Sequence, residues 1–290
     1  MSKKVQVLIF ILIAVLTFSV YANSLKGDFF WDDLGLIRDN HLIKNFKFLP
    51  QLFSRPLSST FHYCYRPILN LSFMIDYSIW QLNPLGFHIT AVAIHILNAF
   101  LVYLLIYLLS EDLKLGFVTG LIFSVHSVLS EPVNYLSSRA DLLMGLFCLS
   151  GFILYILYRT SASKNRLYLS GSLILFVLGL LSKEMAVVLI PILILYELIL
   201  LPVKEPVKRR LFFITPYLIT LIIFAFIRTA VLKANTPDFV ERFAISELSL
   251  WQRFFTSFTA IPIYLRLLFV PTGLHKEWLL VPVETLLRFD

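Results

Sequence analysis

Two adjacent acids follow an aromatic cluster near the start of the chain. Asp32 and Asp33 stand in the segment GDFFWDDLGLIRDN, residues 27–40, directly after a long apolar run. A positioned carboxylate can take a proton from a hydroxyl group, so this pair is the candidate catalytic base. An ordinary alternative stays open, in which the two acids begin a solvated loop or cap a short helix.

Further charged residues recur at the ends of later apolar runs. Such groups are costly at the edge of a membrane span, and this makes them functional candidates. Lysine and arginine can hold a phosphate, arginine through two parallel hydrogen bonds. The charged candidates for such a binding site are Arg66, Glu131, Arg139, Asp141, Lys183, Glu184 and Arg228. Two structural alternatives stay open, namely an ion pair between Arg139 and Asp141 and a simple polar turn at Lys183-Glu184.

Histidines lie close to the same run ends, and His88 and His126 are candidates for lining a site. His88 and His95 share one helix face, and with Asn98 they are expected to bond between helices rather than to bind metal. The chain has no Gly-rich phosphate loop, nucleophile elbow or HExxH motif. We therefore expect no cofactor and no metal site, while a divalent ion between the two acids stays open.

The composition indicates a membrane protein. The 290 residues are 58% hydrophobic and only 15% charged, and their mean hydropathy is +0.81. A soluble domain has about 25% charged residues. The net charge of +7 reflects cations in short segments between apolar runs, which membrane topology explains without nucleic acid. The two cysteines indicate no disulfide framework.

The expected fold is an all-α polytopic membrane protein with a single domain over residues 1–290 and no soluble domain. The seven predicted spans cover about residues 5–22, 85–109, 115–130, 142–158, 167–182, 185–201 and 211–228. An outer loop is expected over 23–84, with a helix lying in the interface over 66–82. Residues 250–270 are predicted as a second interfacial helix, with an eighth span as the alternative.

Cationic residues in the short segments predict the orientation. The first run follows Lys3 and Lys4, and it is interpreted as an uncleaved span rather than a signal peptide. The cations expected on the cytoplasmic side are Lys3, Lys4, Arg159, Lys164, Arg166, Lys204, Lys208, Arg209 and Arg210. The N-terminus is then cytoplasmic, and the candidate site residues gather on the outer face. The membrane would be the inner membrane of a prokaryote or the endoplasmic reticulum of a eukaryote.

Six sequence blocks carry a resemblance to a known family. The blocks are FFWDDLGLIRDN, YRPILNLSF, LNPLGFHITAVAIHILNAFLVY, IFSVHSVLSEPVNYLSSRADLL, LGLLSKEMAVVLIPILI and PTGLHKEW. Together they resemble the GT-C membrane glycosyltransferases, and most closely the membrane region of the transmembrane-and-tetratricopeptide-repeat O-mannosyltransferases and their prokaryotic relatives. The blocks extend from about residue 27 to residue 278 in the family's order.

The resemblance implies an inverting transfer of a sugar, mannose or another hexose, from a polyprenyl-phosphate donor. The acceptor hydroxyl, on a protein Ser or Thr, a glycan or a lipid, would lose its proton to Asp32 or Asp33. The leaving phosphate would need cations, for which the candidates are Arg66, Arg139, Lys183 and Arg228. Glu131 and Asp141 would orient the sugar or the cations.

Some features depart from the family pattern. The block HSVLSEPV keeps His126 and Glu131, but Leu129 stands where the family often has a second histidine. Glu277 replaces an aspartate in the last block. The family continues into further spans and helical repeats, which this sequence is expected to lack.

Other functions compete with the transferase. The chain would alternatively be a non-catalytic membrane subunit, a protein that binds lipid-linked sugars, or a truncated inactive family member. A transporter is disfavoured, because the charges gather at one face and no internal repeat is found.

Overall fold

The computed structural model describes residues 3–161, 165–201, 205–235 and 250–274, and these residues form helices and turns without a strand. The α-helices are α1 (Lys3–Tyr21), α2 (Leu49–Ser54), α3 (Pro67–Trp80), α4 (Pro84–Ser110), α5 (Leu113–Val125), α6 (Ser130–Asn134), α7 (Arg139–Thr160), α8 (Arg166–Ser182), α9 (Leu189–Leu195), α10 (Val207–Phe212), α11 (Thr215–Asn235), α12 (Leu250–Phe258) and α13 (Ala260–Phe269). The fold is that of an all-α membrane protein.

Polar side chains begin three of the long helices. The side chain of Asn83 accepts a hydrogen bond from the Leu85 amide at the start of α4, where Pro84 needs no N–H partner. Asp112 accepts from two amides at the start of α5, and Asn165 accepts from one at the start of α8. Such caps satisfy amides that have no partner within the helix, and they place the short connections between neighbouring helices.

Helix α4 lies at the centre of one half of the bundle, between α1, α5 and α7. Gly116 and Gly120 let α5 approach it closely. A Cβ at Gly120 would lie 2.9 Å from the Tyr103 Cβ, and one at Gly116 would lie 3.0 Å from the Tyr103 carbonyl oxygen. Small residues at a spacing of four are a common device for close contact between membrane helices. In the other half, α7 packs on α8 and α8 on α11.

Four helical stretches are long and apolar enough to cross a membrane. They are Lys3–Lys26, Pro84–Ser110, Leu136–Thr160 and Val207–Asn235, and a bent pair, Leu113–Val125 with Ser127–Asn134, brings the number among the described residues to five at most. Helix α8 has 17 residues, and at ~1.5 Å each its length of about 25 Å is below the ~30 Å hydrocarbon core. The expected count of seven spans therefore stays a prediction.

Two of the predicted spans are interrupted. The interval 115–130 bends by 49° after α5, because His126 is extended and its ring accepts the Val128 amide at 3.3 Å. The interval 185–201 consists of a 3₁₀ segment, Glu184–Val188, then α9 and a π-helical turn, Tyr196–Leu200. Pro191 supplies no amide hydrogen in this interval, and the π turn shifts the helix register near Glu197.

The two predicted interfacial helices also have counterparts. The segment 66–82 contains α3, whose buried face includes Leu69, Phe73 and Asp76. The segment 250–270 is divided at Thr259 into α12 and α13. Their depth in the bilayer stays a prediction. Lys164, Lys204 and the last four residues of the PTGLHKEW block lie outside the described residues.

Candidate functional site

The loop after α1 holds its two acids in different surroundings. Asp33 is only 1% exposed. Its carboxylate accepts hydrogen bonds from the Ser137 amide at 2.8 Å, from the Ser137 hydroxyl and from the Phe30 amide at 3.4 Å. Burial raises the pKa of the Asp33 carboxyl, and these hydrogen bonds offset part of that rise. Asp33 therefore ties the loop to the turn before α7.

Asp32 faces an open space instead. It is half-buried and lines a cavity of about 230 Å³. Its backbone amide donates to the Tyr135 hydroxyl at 3.3 Å. Trp31, directly before it, has a φ of 54°, a left-handed conformation that is uncommon without a glycine. The sequence alone could not distinguish the two acids, but the structure places only Asp32 on the cavity wall.

We name this space the charged cavity. Its charged lining residues are Asp32, Arg66, Glu131, Asp141 and Lys183. They come from four separate parts of the chain, because α1, α5 and α8 end at this side of the bundle whereas α3 and α7 begin there. Five of the residues singled out from the sequence thus surround one space.

Both cations of the charged cavity are already paired. Lys183 Nζ lies 2.6 Å and 2.7 Å from the two carboxylate oxygens of Asp141. Arg66 makes a bidentate contact with Glu184, Nη2 to Oε1 at 3.0 Å and Nε to Oε2 at 3.2 Å. The side chains keep partial exposure, 23% for Lys183 and 18% for Arg66. These pairs fix the cations at the cavity without sealing them from a ligand.

The pKa of the Glu184 carboxyl reflects its pairing with Arg66. Burial raises the pKa of its carboxyl, but the hydrogen bonds and charge of Arg66 outweigh that effect, so the pKa lies below its usual value. Arg228 on α11 contributes in the same direction. The Arg228 Nε–H group is buried and donates to none of the described residues. Arg228 therefore adds a further positive charge that acts on Glu184.

Arg139 lies outside the charged cavity. It is fully buried, with Nη1 at 2.6 Å from the Asp76 carboxylate and Nη2 donating to the Phe87 carbonyl at 2.7 Å. Its guanidinium also lies over the Phe73 ring at 4.7 Å. The structure thus pairs Arg139 with Asp76 rather than with Asp141, and the pair joins α3, α4 and α7.

The two candidate histidines, His88 and His126, are not among the described residues that line the charged cavity. His88 is buried beside Gly27, where a Cβ would lie 2.9 Å from its Nε2. His126 Nε2 lies 3.1 Å from the Leu268 carbonyl oxygen on α13. The expectation of bonds between helices is confirmed for His95, with Nε2 at 3.1 Å from the Ser124 carbonyl, and for Asn98, which donates to the Leu142 carbonyl at 2.9 Å.

Three residues that contribute to the site were not predicted from the sequence. Ser137 holds Asp33, Ser138 donates to the Glu131 carboxylate at 3.1 Å, and Tyr135 touches Asp32. All three stand in the NYLSSRADLL part of a block already noted, but neutral side chains gave no reason to prefer them. In the part of the chain that the structure describes, no group of three or more His, Cys, Asp or Glu side chains is arranged to hold a metal ion.

A second, apolar pocket lies next to Arg66. It has a volume of about 350 Å³ and is walled by α8 and α11 with Phe53 and Tyr65. Its wall includes Tyr65, the residue before Arg66, and Leu181, two residues before Lys183. Val177 on α8 and Ile223 on α11 are among its exposed walls.

Comparison with known proteins confirms the resemblance carried by the sequence blocks. A protein O-mannosyl-transferase of Caenorhabditis elegans is 31% identical over 181 residues, which are 59% of this chain and 25% of the relative. Human protein O-mannosyl-transferase TMTC3 is 28% identical over 196 residues, 64% of this chain and 21% of the relative. Mouse protein O-mannosyl-transferase TMTC1 is 34% identical over 143 residues, 47% of this chain and 15% of the relative.

The chain spans a quarter or less of the length of these relatives. No family model matches it, and no solved structure does.

Proposed function

We propose that this protein is a GT-C type glycosyltransferase that moves a sugar, mannose or another hexose, from a polyprenyl-phosphate donor to a hydroxyl acceptor. The observation that carries the proposal is the charged cavity, in which Asp32 faces Arg66 and Lys183 at one end of a bundle of apolar helices. The similarity to proteins named protein O-mannosyl-transferases supports the same chemistry and favours a protein acceptor.

Asp32 is the better candidate for the base. The Asp33 carboxylate already accepts hydrogen bonds from Ser137 and Phe30, and it is closed off from the cavity. Asp32 would take the proton of the acceptor hydroxyl while that oxygen bonds to the anomeric carbon. The bond between the anomeric carbon and the phosphate oxygen breaks, its electron pair stays on the phosphate, and the configuration inverts.

Arg66, Lys183 and Arg228 would stabilise the charge that develops on the leaving phosphate. The Glu184 pairing engages only part of the Arg66 guanidinium, and Asp141 leaves Lys183 partly exposed, so donors remain open to a phosphate. Cations held in place before the reaction need no reorganisation when the charge appears. Arg139 would act by holding α3, α4 and α7 together, since its guanidinium is used by Asp76 and Phe87.

The acids around the cations would orient the sugar. Glu131 and Asp141 line the charged cavity, and Glu184 holds Arg66. Carboxylates accept hydrogen bonds from sugar hydroxyls. The apolar pocket between α8 and α11 would receive the first isoprenoid units of the donor, because its apolar walls lie beside Arg66. In this arrangement the lipid tail would lie between helices and the phosphate at the cations.

The proposed topology has the N-terminus in the cytoplasm and several spans. The cavity would open at the outer face, in the inner membrane of a prokaryote or the endoplasmic reticulum of a eukaryote. The support is the distribution of charge, because Lys3, Arg159 and Arg210 all lie at the bundle end opposite to the charged cavity.

A transfer assay tests the proposed function. The purified chain in lipid is given radiolabelled polyprenyl-phosphate mannose and a Ser- and Thr-containing peptide, with and without EDTA. We expect sugar transfer with inverted anomeric configuration that survives EDTA. Bound donor without any transfer would contradict the proposal and indicate a non-catalytic protein that binds lipid-linked sugars.

A further inference from the structure

A third pocket adjoins the charged cavity and has no part in the reaction described so far. This side pocket has a volume of about 360 Å³, and its walls include Phe30, Val128, Glu131, Asn134, Tyr135 and Leu274. Known ligand pockets have volumes of about 300–1,000 Å³, so the side pocket suits a small group rather than a whole glycan.

The side pocket shares a wall with the charged cavity. Glu131 and Tyr135 line both spaces. The Tyr135 hydroxyl accepts the Asp32 amide at 3.3 Å, and the Phe30 ring lies 5.0 Å from the Tyr135 ring. An occupant of the side pocket therefore comes to within one side chain of Asp32.

The chemistry of the side pocket differs from that of the charged cavity. Among the described residues that line it, none is cationic, whereas the charged cavity has Arg66 and Lys183. Phe30, Val128, Tyr135 and Leu274 give it a largely apolar wall. The described lining therefore offers a donor phosphate no cation, and it favours an uncharged or apolar group next to the acceptor hydroxyl.

Asn134 indicates what kind of acceptor fits. Its side-chain amide oxygen is buried and receives no hydrogen bond from the described residues. Buried polar atoms are normally hydrogen-bonded. Because this oxygen has almost no accessible surface, a rotation of the Asn134 side chain would bring it to the pocket. A backbone N–H of an extended peptide would then supply the bond, while the neighbouring apolar side chain fills the pocket.

On these grounds, and resting on the proposed function, we propose that the side pocket is the acceptor subsite for an extended polypeptide. It receives the apolar side chain next to a Ser or Thr, whose hydroxyl then lies at Asp32. The pocket would thus select acceptor sequences with an apolar residue beside the hydroxyl residue and would disfavour an acidic one, because of Glu131.

The first test fills the side pocket. Val128→Trp is compared with Val118→Trp, which adds the same ring at an exposed position on α5. We expect Val128→Trp to raise KM for a Leu-Ser-Leu-containing peptide by about tenfold or more. KM for the donor stays unchanged in both variants, which also shows that the variant is folded. An equal rise of the donor KM, or no change in the peptide KM, would overturn the subsite.

A second test works without turnover. A peptide with a benzophenone residue beside its serine is photo-crosslinked to the wild-type chain, and the adducts are mapped by mass spectrometry. Adducts on residues 128–135 without sugar transfer would support peptide binding in the side pocket and contradict the proposed transferase function. Two results would contradict the peptide subsite but leave the transferase function supported. One is sugar transfer with adducts confined to other segments, and the other is transfer only to glycan or lipid acceptors.

Discussion

The ion pairs at the charged cavity differ in exposure from the cluster at the opposite end of the bundle. Asp141 and Arg159 stand near the two ends of α7, about 27 Å apart at ~1.5 Å per residue. At the Asp141 end, the Lys183–Asp141 and Arg66–Glu184 pairs at the charged cavity stay partly exposed, although the neighbouring Arg139–Asp76 pair is buried. At the Arg159 end, a closed cluster forms around Glu197, which is 0% exposed.

In the closed cluster, Glu197 receives almost every bond its carboxylate can accept. The Tyr155 hydroxyl donates at 2.6 Å, and Arg159 donates from Nε at 2.7 Å and from Nη2 at 3.2 Å. Arg159 also reaches Glu205 at 3.0 Å, and Arg210 lies 3.6 Å from Glu197. A buried cluster whose hydrogen bonds are all made holds the helices in position. A partly exposed ion pair can instead exchange one of its partners for a ligand.

The largest effect is expected from breaking the closed cluster. Glu197→Gln removes the charge that compensates buried Arg159 and should destabilise the protein by about 3–5 kcal/mol. Thermal unfolding of the purified protein in detergent measures the change, with Glu111→Gln at an exposed position as the control. A Glu197→Gln protein that unfolds like wild type but loses donor affinity would make this cluster a ligand site.

A smaller effect on folding, with a clear effect on binding, is expected at the charged cavity. Lys183→Met should weaken binding of a polyprenyl phosphate by roughly 10- to 100-fold, because a hydrogen bond to a charged group contributes about 1.5–3 kcal/mol. Stability should change little, since the Lys183–Asp141 pair is partly exposed. Equilibrium binding of radiolabelled lipid is measured beside exposed Lys114→Met. Equal affinities in the two variants would contradict the role of Lys183.

A variant in the apolar pocket tests the binding of the lipid tail separately from the binding of the phosphate. Val177→Trp narrows the pocket between α8 and α11 and should weaken long-chain donor binding by about tenfold. A short-chain phosphate analogue should bind as it does to wild type. Ile174→Trp, at an exposed site on the same helix, is the control. If both lipids lost affinity equally, the pocket would not hold the tail.

The smallest effect is a pH dependence at Glu184. Its pKa is lowered in the folded protein, so its ion pair contributes stability above the unfolded value of about 4.3. That contribution is lost as the pH falls through the lower, folded pKa. Melting temperatures from about pH 6 to about pH 3 should fall more steeply for wild type than for Glu184→Gln. Parallel curves would place the acid sensitivity elsewhere.

The sequence was sufficient to predict the helical membrane fold and the gathering of charge at one end. Apolar runs become helices because their backbone groups must bond internally in lipid. Charged residues at the ends of adjoining runs then have to meet, as Asp141 and Lys183 do.

The pairings could not be predicted. Whether Arg139 pairs with Asp141 or with Asp76 depends on how α3 and α7 are rotated against each other. The hydropathy pattern does not determine that rotation. Asp32 and Asp33 are adjacent and identical in type, so only the position of Ser137 distinguishes them. The break near Glu197 likewise involves a tertiary partner, Tyr155, whereas the bend at His126 comes with a local bond between its ring and the Val128 amide.

The most direct test of the account compares Asp32→Asn with Asp33→Asn in the same transfer assay, with Asp39→Asn, an exposed acid of the same loop, as the control. We predict that Asp32→Asn loses about 10²- to 10⁴-fold in transfer rate and keeps its melting temperature and donor affinity. Asp33→Asn should lower the melting temperature, since it weakens the contact with Ser137. Transfer that survives in Asp32→Asn and is abolished in a stably folded Asp33→Asn would contradict the assignment of the base.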